Sequence, residues 1–279
     1  MTPQSRNAPV TTVTGSQFSD RTDAVATEEP LEIRARTVSQ DATQTIAITM
    51  RTPGNDAELA TGFLWCEGLI SDVHHVLNAE SSGKLQPGGF QNIVTVTLSD
   101  AAMLDFAPDA RRFYVSSSCG VCGKASLESV ETATRFELSR GVPTWSPGVI
   151  HGLSAKLRAA QATFDTTGGL HAAGLFAPTG DLLTVREDVG RHNAVDKLVG
   201  EAIFRKALPL SETLLFVSGR ASFELVQKAV MAGIPGLAAV GAPSSLAVSL
   251  AADAGLTLLG FVRGDRFNIY AGAERITRV

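Results

Sequence analysis

Cysteine is scarce in this chain: three in 279 residues, two of them close together. That is not a secreted disulfide framework, and it points to a reducing compartment, the cytoplasm. Blocks of Lys or Arg are missing and the formal net charge is −4, so nothing favours a nucleic-acid partner. Residues 1–27 are polar and rich in Thr, Ser and Asp. They lack the apolar centre of a signal peptide and a twin-arginine pair, and they read as a disordered leader. Charge is nearly absent from Met231 to Val262, where Asp253 stands alone. Gly233, Pro235, Gly236, Gly241, Pro243 and Gly255 cut that stretch into pieces too short for a bilayer. Buried parallel strands with their helices explain it, and no membrane partner is expected. No internal repeat, Walker motif or Gly-x-Gly-x-x-Gly is present.

What is present supports a substantial core, with 44% hydrophobic residues in a chain long enough for one large domain or two modest ones. Residues 28–115 read as a small α+β module. Glu29–Arg36 and Gln44–Met50 are paired strands, and Ile93–Leu98 is a further one. Glu58 to Leu69 has helical spacing, with Asn55 or Asp56 as its cap. Cys66 falls on the apolar face of that helix and reads as a buried small residue. Residues 116–150 read as a flexible cysteine loop and linker. They are followed by a helix over Leu153–Phe164 and by strands ending at Phe176 and Val185.

The other two cysteines, Cys119 and Cys122, sit in a Gly- and Ser-rich loop between the short aromatic strand end Arg111–Val115 and a helical pattern over Ala125–Glu131. Free N–H groups at a helix start and the charge of Lys124 favour thiolate there. Three readings stay open. A zinc half-site would need Cys66 and the His74–His75 pair to complete four ligands, because no second Cys-x-x-Cys exists. A dithiol–disulfide motif fits the strand–loop–helix setting. A sulfur relay would carry sulfur on one thiolate as a persulfide.

The last third alternates buried strands (Thr213–Val217, Leu237–Val240, Leu256–Val262) with helices, which implies parallel strands with right-handed crossovers. Ligands in such sheets sit beyond the carboxyl ends of the strands. Those ends carry Ser218-Gly219-Arg220, Gly241 to Ser245, and Arg263 to Arg266, a set suited to a phosphate-bearing ligand. Arg186 to Asn193 is dense in polar groups and leads into a helix from about Ala194, so His192 reads either as a cap or as a ligand contact.

Taken together, Glu29–Ile33, Met50–Gly54, Glu58–Leu64, Glu67–Ile70, Ser118–Lys124, Thr167–His171, Glu187–Lys197, Ser218–Ser222 and Gly233–Pro235 resemble, in order, the formate dehydrogenase accessory sulfurtransferases, the FdhD family. The resemblance covers about residues 28–279. It implies a sulfurtransferase of the sulfur-carrier type. Cys119 would take sulfur from a cysteine desulfurase as a persulfide and pass it to the bis(molybdopterin guanine dinucleotide) molybdenum cofactor, bound as substrate, before insertion into formate dehydrogenase. It also implies that Phe261, Val262, Arg263, Gly264, Asp265 and Arg266 bind that cofactor. A homodimer is implied, as is a cytidine-deaminase-like α/β fold over residues 151–279, with no metal held by the protein itself. The roles of Cys122, His171, His192 and Arg220 stay open. A zinc nucleoside deaminase is disfavoured: His171 is not followed by the required Glu, and Cys119-x-x-Cys122 precedes it without a Pro. A non-catalytic cofactor chaperone and a thiol–disulfide oxidoreductase are the remaining alternatives.

Overall fold

The structure is a computed structural model, and it describes residues 3–39, 43–102, 113–114 and 135–278. Its first element corrects the reading of residues 1–27 as a disordered leader. Strands β1 (Ser5–Thr14) and β2 (Gln17–Ala26) pair antiparallel from Ser5↔Ala26 to Thr14↔Gln17. Val10 to Thr14 is an unbroken run of β-branched residues, and Thr, though polar, shares with Val a preference for strands. Gly15, at φ +60°, supplies the left-handed conformation that a two-residue turn requires.

Alternation then builds a five-stranded sheet. In β3 (Glu29–Thr37), Leu31, Ile33 and Ala35 are buried while the intervening charged residues face out. β3 pairs antiparallel with β4 (Gln44–Arg51). Helix α1 (Asp56–Cys66) follows, beginning earlier than its apolar spacing suggests. Asn55 stands at its N-cap in the left-handed conformation without a side-chain bond. Asp56 instead grips the fully buried Arg51 through two 2.9 Å bonds. Strands β5 (Val76–Ser82), β6 (Ile93–Leu98) and β7 (Phe113–Tyr114) complete the order β5-β6-β3-β4-β7.

The helix expected over Leu153–Phe164 is two helices, α2 (Pro147–Ala159) and α3 (Ala162–Thr167). Pro147 opens α2 at a position where it loses no hydrogen bond, and Ser146 caps it. Ile150, Leu153 and Leu157 form the buried stripe. Then come β8 (His171–Phe176), β9 (Leu182–Asp188), α4 (Arg191–Phe204), β10 (Leu214–Val217) and α5 (Phe223–Met231). The chain ends through β11 (Gly236–Ala239), α6 (Ser245–Asp253), β12 (Thr257–Arg263) and β13 (Arg266–Ala271).

β10, β11 and β12 are parallel, as the alternation of elements implies. β8 and β13 flank them antiparallel, giving the order β13-β12-β11-β10-β8-β9. Every residue of β10 is buried, because the sheet is covered on both faces. Leu214 and Phe216 meet the α2 side, while Leu215 and Val217 meet the helices on the other. That second core is continuous with Leu31, Ile33, Val94 and Val96 of the five-stranded sheet: α1 packs on that sheet and crosses α4, which packs on the six-stranded one, with α5 beside both and α6 at the edge over β12 and β13. α1 crosses α4 where Gly62 and Gly200 let the two backbones touch. No helix among the described residues is long and apolar enough to cross a membrane.

Candidate functional site

The three loops expected at the carboxyl ends of the parallel strands are joined by backbone hydrogen bonds. Gly241 N–H donates to the Gly219 carbonyl (2.9 Å), Ala221 N–H to that of Ala242 (3.2 Å), and Phe261 N–H to that of Gly241 (3.1 Å). The polar turn at residues 263–266 is the tip of a hairpin, with Arg263 opposite Arg266 and Gly264 at φ +55°. β12 therefore outruns its neighbours and carries Arg263, Gly264, Asp265 and Arg266 into solvent, while Val262 stays buried. Phe261 adopts φ +55° next to a register shift in the ladder. A bulky residue there is a conformational outlier, of the kind that clusters where ligands bind. Arg220, Arg263 and Arg266 are exposed and, among the described residues, form no ion pair.

Beside these loops lies the polar segment that links β9 to α4, and most of it is scaffold. Asp188, fully buried, accepts from Thr52 N–H (3.1 Å), Gly190 N–H (2.8 Å) and Asn193 Nδ2 (2.9 Å), and pairs with Lys197 Nζ at 2.7 Å. Asn193 Nδ2 also donates to the Met50 carbonyl (2.8 Å), at the end of β4. Glu187 accepts from Thr163 and Phe164 N–H (2.9 and 2.8 Å) and so anchors the start of α3. Asp196 binds Lys228 Nζ at 2.7 Å. Burial alone would lower the pKa of Lys228, but Asp196 raises it above the ordinary lysine value.

Arg191 and His192 face the site. His192 Nε2 lies 3.2 Å from Ser222 Oγ, at the start of α5, and 3.7 Å from Glu224. Gly219 approaches both the His171 ring and the Arg191 side chain, so a Cβ there would lie 3.5 and 3.7 Å from them. Among the described residues, neither α4 nor α5 receives a side-chain cap, and Arg191 Nε is buried without a partner. The sequence marked His192 as either cap or contact. Its convergence with Arg191, Ser222 and Glu224 has no local signal, because a helix start at Arg191 shows no apolar spacing. α4 begins three residues before the expected Ala194 for that reason.

Both histidines are held neutral. Burial lowers the pKa of His192 to about 3, helped by Lys228, Arg191 and His171. Its contact with Glu224 is thus one of a neutral imidazole, the carboxylate at 3.7 Å being outweighed by burial and three cationic or titratable neighbours. Burial and then Arg191 lower the pKa of His171 as well. A group whose pKa is depressed by folding contributes stability above its unfolded value and loses it as pH falls. Between pH 6.5 and 4 the His192 contribution should fall by roughly 1.4 kcal/mol per pH unit. Urea unfolding of wild type and His192→Asn at pH 7 and pH 5 checks this: the two should converge at pH 5. A pH-independent difference would show that His192 does not titrate as stated.

Cys119 and Cys122 lie outside the described residues, as does the helical pattern over Ala125–Glu131. β7 precedes them, running parallel to β4 with Tyr114 beside Ile48. Arg135, on the far side, stacks over Trp65 at 4.4 Å. Cys66 is a core residue, as its place on α1 suggested. Burial, with Asp196 adding, pushes its thiol pKa well above the ordinary value.

Comparison with known proteins bears on the whole chain. Residues 26–277 match the model of the FdhD/NarQ family. A protein named sulfur carrier protein FdhD from Streptomyces avermitilis is 52% identical over 261 residues, covering 92% of this chain and 90% of that one. Proteins of the same name from Mycobacterium tuberculosis (48%, covering 95% and 96%) and Sulfolobus acidocaldarius (42%, covering 98% and 99%) are similar too. A solved protein from Desulfotalea psychrophila, described as a formate dehydrogenase accessory protein, superposes with a TM-score of 0.75 at 23% identity, covering 99% of this chain and all of that one, and shares the mixed α/β fold. Because the family model spans both sheets and the site between their loops, and relatives near half identity align almost end to end, this chain belongs to the FdhD/NarQ family.

Proposed function

We propose that this protein is a sulfur carrier serving formate dehydrogenase in the cytoplasm. In this reading the Cys119 thiolate attacks the outer sulfur of a cysteine desulfurase persulfide. The desulfurase S–S bond breaks, its cysteine leaves as thiolate, and Cys119 carries the sulfur as a new persulfide. The outer sulfur then passes, at the sulfane level, to reduced molybdenum of the bis(molybdopterin guanine dinucleotide) cofactor: the persulfide S–S bond breaks, Cys119 leaves as thiolate, and the substrate metal gives up the two electrons that make the sulfur a sulfido ligand, before the cofactor enters formate dehydrogenase. The cofactor is the substrate, held at residues 261–266 of the exposed hairpin. The names of the relatives support the carrier role.

The observation that carries the substrate site is the meeting of three arginine- or glycine-bearing loops at one sheet edge, with Arg220, Arg263 and Arg266 free to pair with phosphate. We propose further that the six-stranded sheet with helices on both faces is a cytidine-deaminase-like arrangement, and that the protein works as a homodimer.

Intact-protein mass spectrometry after incubation with a cysteine desulfurase and cysteine tests the carrier step. Wild type and Cys122→Ser are expected to gain a sulfur adduct that reductant removes, and Cys119→Ser none. An adduct on Cys119→Ser equal to that on wild type would overturn the assignment. No adduct on any form, with guanine-nucleotide binding retained, would favour a cofactor chaperone that carries no sulfur.

A further inference from the structure

The β1–β2 hairpin stands apart from both larger sheets. Its ten consecutive pairs, without a bulge, make an arm about 34 Å long. The base of the arm is fixed to the body. Thr27 N–H donates to the Gln4 carbonyl (2.8 Å), Arg6 pairs with Glu29 (2.6 Å), and a Cβ on Gly169 would lie 3.5 Å from that of Ala26. The tip is bare. Val13 and Phe18, which face each other across the ladder, are 53% and 75% exposed. A two-stranded hairpin is marginal by itself in water, and a third or fourth strand is what gives such a sheet its stability.

The ladder decides which edge can take another strand. The two-residue turn closes on Thr14↔Gln17, so bonded pairs recur at every second position, Thr12↔Ser19 and then Val10↔Arg21. Pro9, opposite Thr22, therefore falls at a non-bonded pair. Its ring costs the ladder nothing there but interrupts the outer edge of β1. On β2 the outward N–H and C=O groups are those of Phe18, Asp20, Thr22 and Ala24. That of Ala24 turns to the side chain of its neighbour, Asp23 Oδ1 (3.2 Å). β2 holds no Pro, Lys or bulge that would block a further strand, and among the described residues no strand other than β1 pairs with it.

We infer that β2 pairs antiparallel with β2 of a second copy of this chain, so that the two arms form one four-stranded sheet across a two-fold axis at Thr22. Charge selects the register. With Thr22 on the axis, Arg21 lies opposite the partner's Asp23, and Asp23 opposite the partner's Arg21. The registers on either side would set Arg21 against the partner's Arg21, or Asp23 against the partner's Asp23, and like charges directly opposite are unfavourable. The same register sets Phe18 opposite the partner's Ala26, so the bare end of each arm is seated at the base of the other. The contact is self-complementary, as a closed two-fold requires. This inference rests on the homodimer reading above and adds to it the surface that forms the dimer.

Light scattering during gel filtration of the full chain, with sedimentation velocity for the dissociation constant, tests it. Wild type should run at twice the chain mass. Thr22→Pro removes an N–H that the hairpin itself does not use, and Arg21→Asp sets like charges opposite each other across the axis. Each should raise the dimer dissociation constant at least about tenfold. Adding Asp23→Arg to Arg21→Asp should restore the wild-type value. Thr22→Cys, in a Cys119→Ser Cys122→Ser background, should give a disulfide-linked dimer on mild oxidation, since paired strands hold opposite residues within bridging distance. An unchanged dissociation constant in Thr22→Pro and Arg21→Asp, with no cross-link through residue 22, would move the interface off the arm and leave the homodimer standing. A wild-type chain that stays monomeric at every concentration tested would overturn both.

Discussion

Gly200→Ala should leave the protein unable to fold to a stable state. A Cβ at residue 200 would lie 1.9 Å from the Glu58 carbonyl oxygen, and one at residue 62 would lie 1.9 Å from that of Asp196. In both cases the obstacle is the backbone of the facing helix, which no rotamer change relieves. α1 and α4 would have to separate, opening the helical layer that joins the two sheets. Overpacking in a core costs about 1–3 kcal/mol when side chains can yield. Here the cost should exceed that range and consume much of a total stability of about 5–15 kcal/mol. We expect a fall in melting temperature of more than about 10 °C, or insoluble expression. Gly62→Ala should behave alike. The double variant should cost less than the two single effects summed, because one separation of the helices relieves both clashes. Gly152→Ala is the control: it lies in α2 with nothing within 4 Å of a new Cβ, so it should be neutral or mildly stabilising. Melting temperatures of Gly200→Ala and Gly152→Ala that agree within error would refute the helix-crossing argument.

Asp188→Ala is expected to be nearly as damaging, for an electrostatic reason. The substitution strands the buried Lys197 ammonium, leaving it the carbonyls of Thr52 (2.9 Å) and Glu187 (3.3 Å) without a counter-charge. It also orphans the N–H groups of Thr52 and Gly190. Breaking a buried ion pair costs about 3–5 kcal/mol, and each unsatisfied buried donor about 1–3 kcal/mol more. Adding Lys197→Met to Asp188→Ala should recover part of the loss, since a pair replaced by apolar groups is far less costly than a pair broken. Chemical denaturation of the two variants decides the matter. A double variant less stable than Asp188→Ala alone would mean that Lys197 stabilises the fold by some route other than this pair.

The elements that the sequence declared are those whose signal is local. Leu31, Ile33 and Ala35 alternate with charged residues, and β3 follows from that alone. The parallel run β10-β11-β12 follows from apolar strands separated by helices, and the cysteine loop and the long acidic-histidine segment carry the family pattern within a few residues each. The misreadings arose where the deciding partner is distant or the composition points the wrong way. β1 and β2 looked disordered because Thr and Ser count as polar, although the turn at Gly15 and the β-branched flanks make a hairpin. Gln161 fell inside an expected helix, since Leu153, Leu157 and Phe164 keep helical spacing across the break at Ala160 and Gln161.

By itself, then, the sequence determined β3, β4, β6, β8 and β9, the parallel half of the larger sheet, and membership of the FdhD family, because periodicity and short motifs are properties of neighbouring residues. Only the tertiary structure decided which residues of Glu187–Lys197 brace the fold and which face the site. Asp188 and Asn193 act on Thr52 and Met50, 136 and 143 residues away, whereas Arg191 and His192 turn toward the Gly219–Ser222 loop. A charged residue's task depends on what lies opposite it once the chain has closed, and burial sets whether that partner counts for a fraction of a kcal/mol or for several.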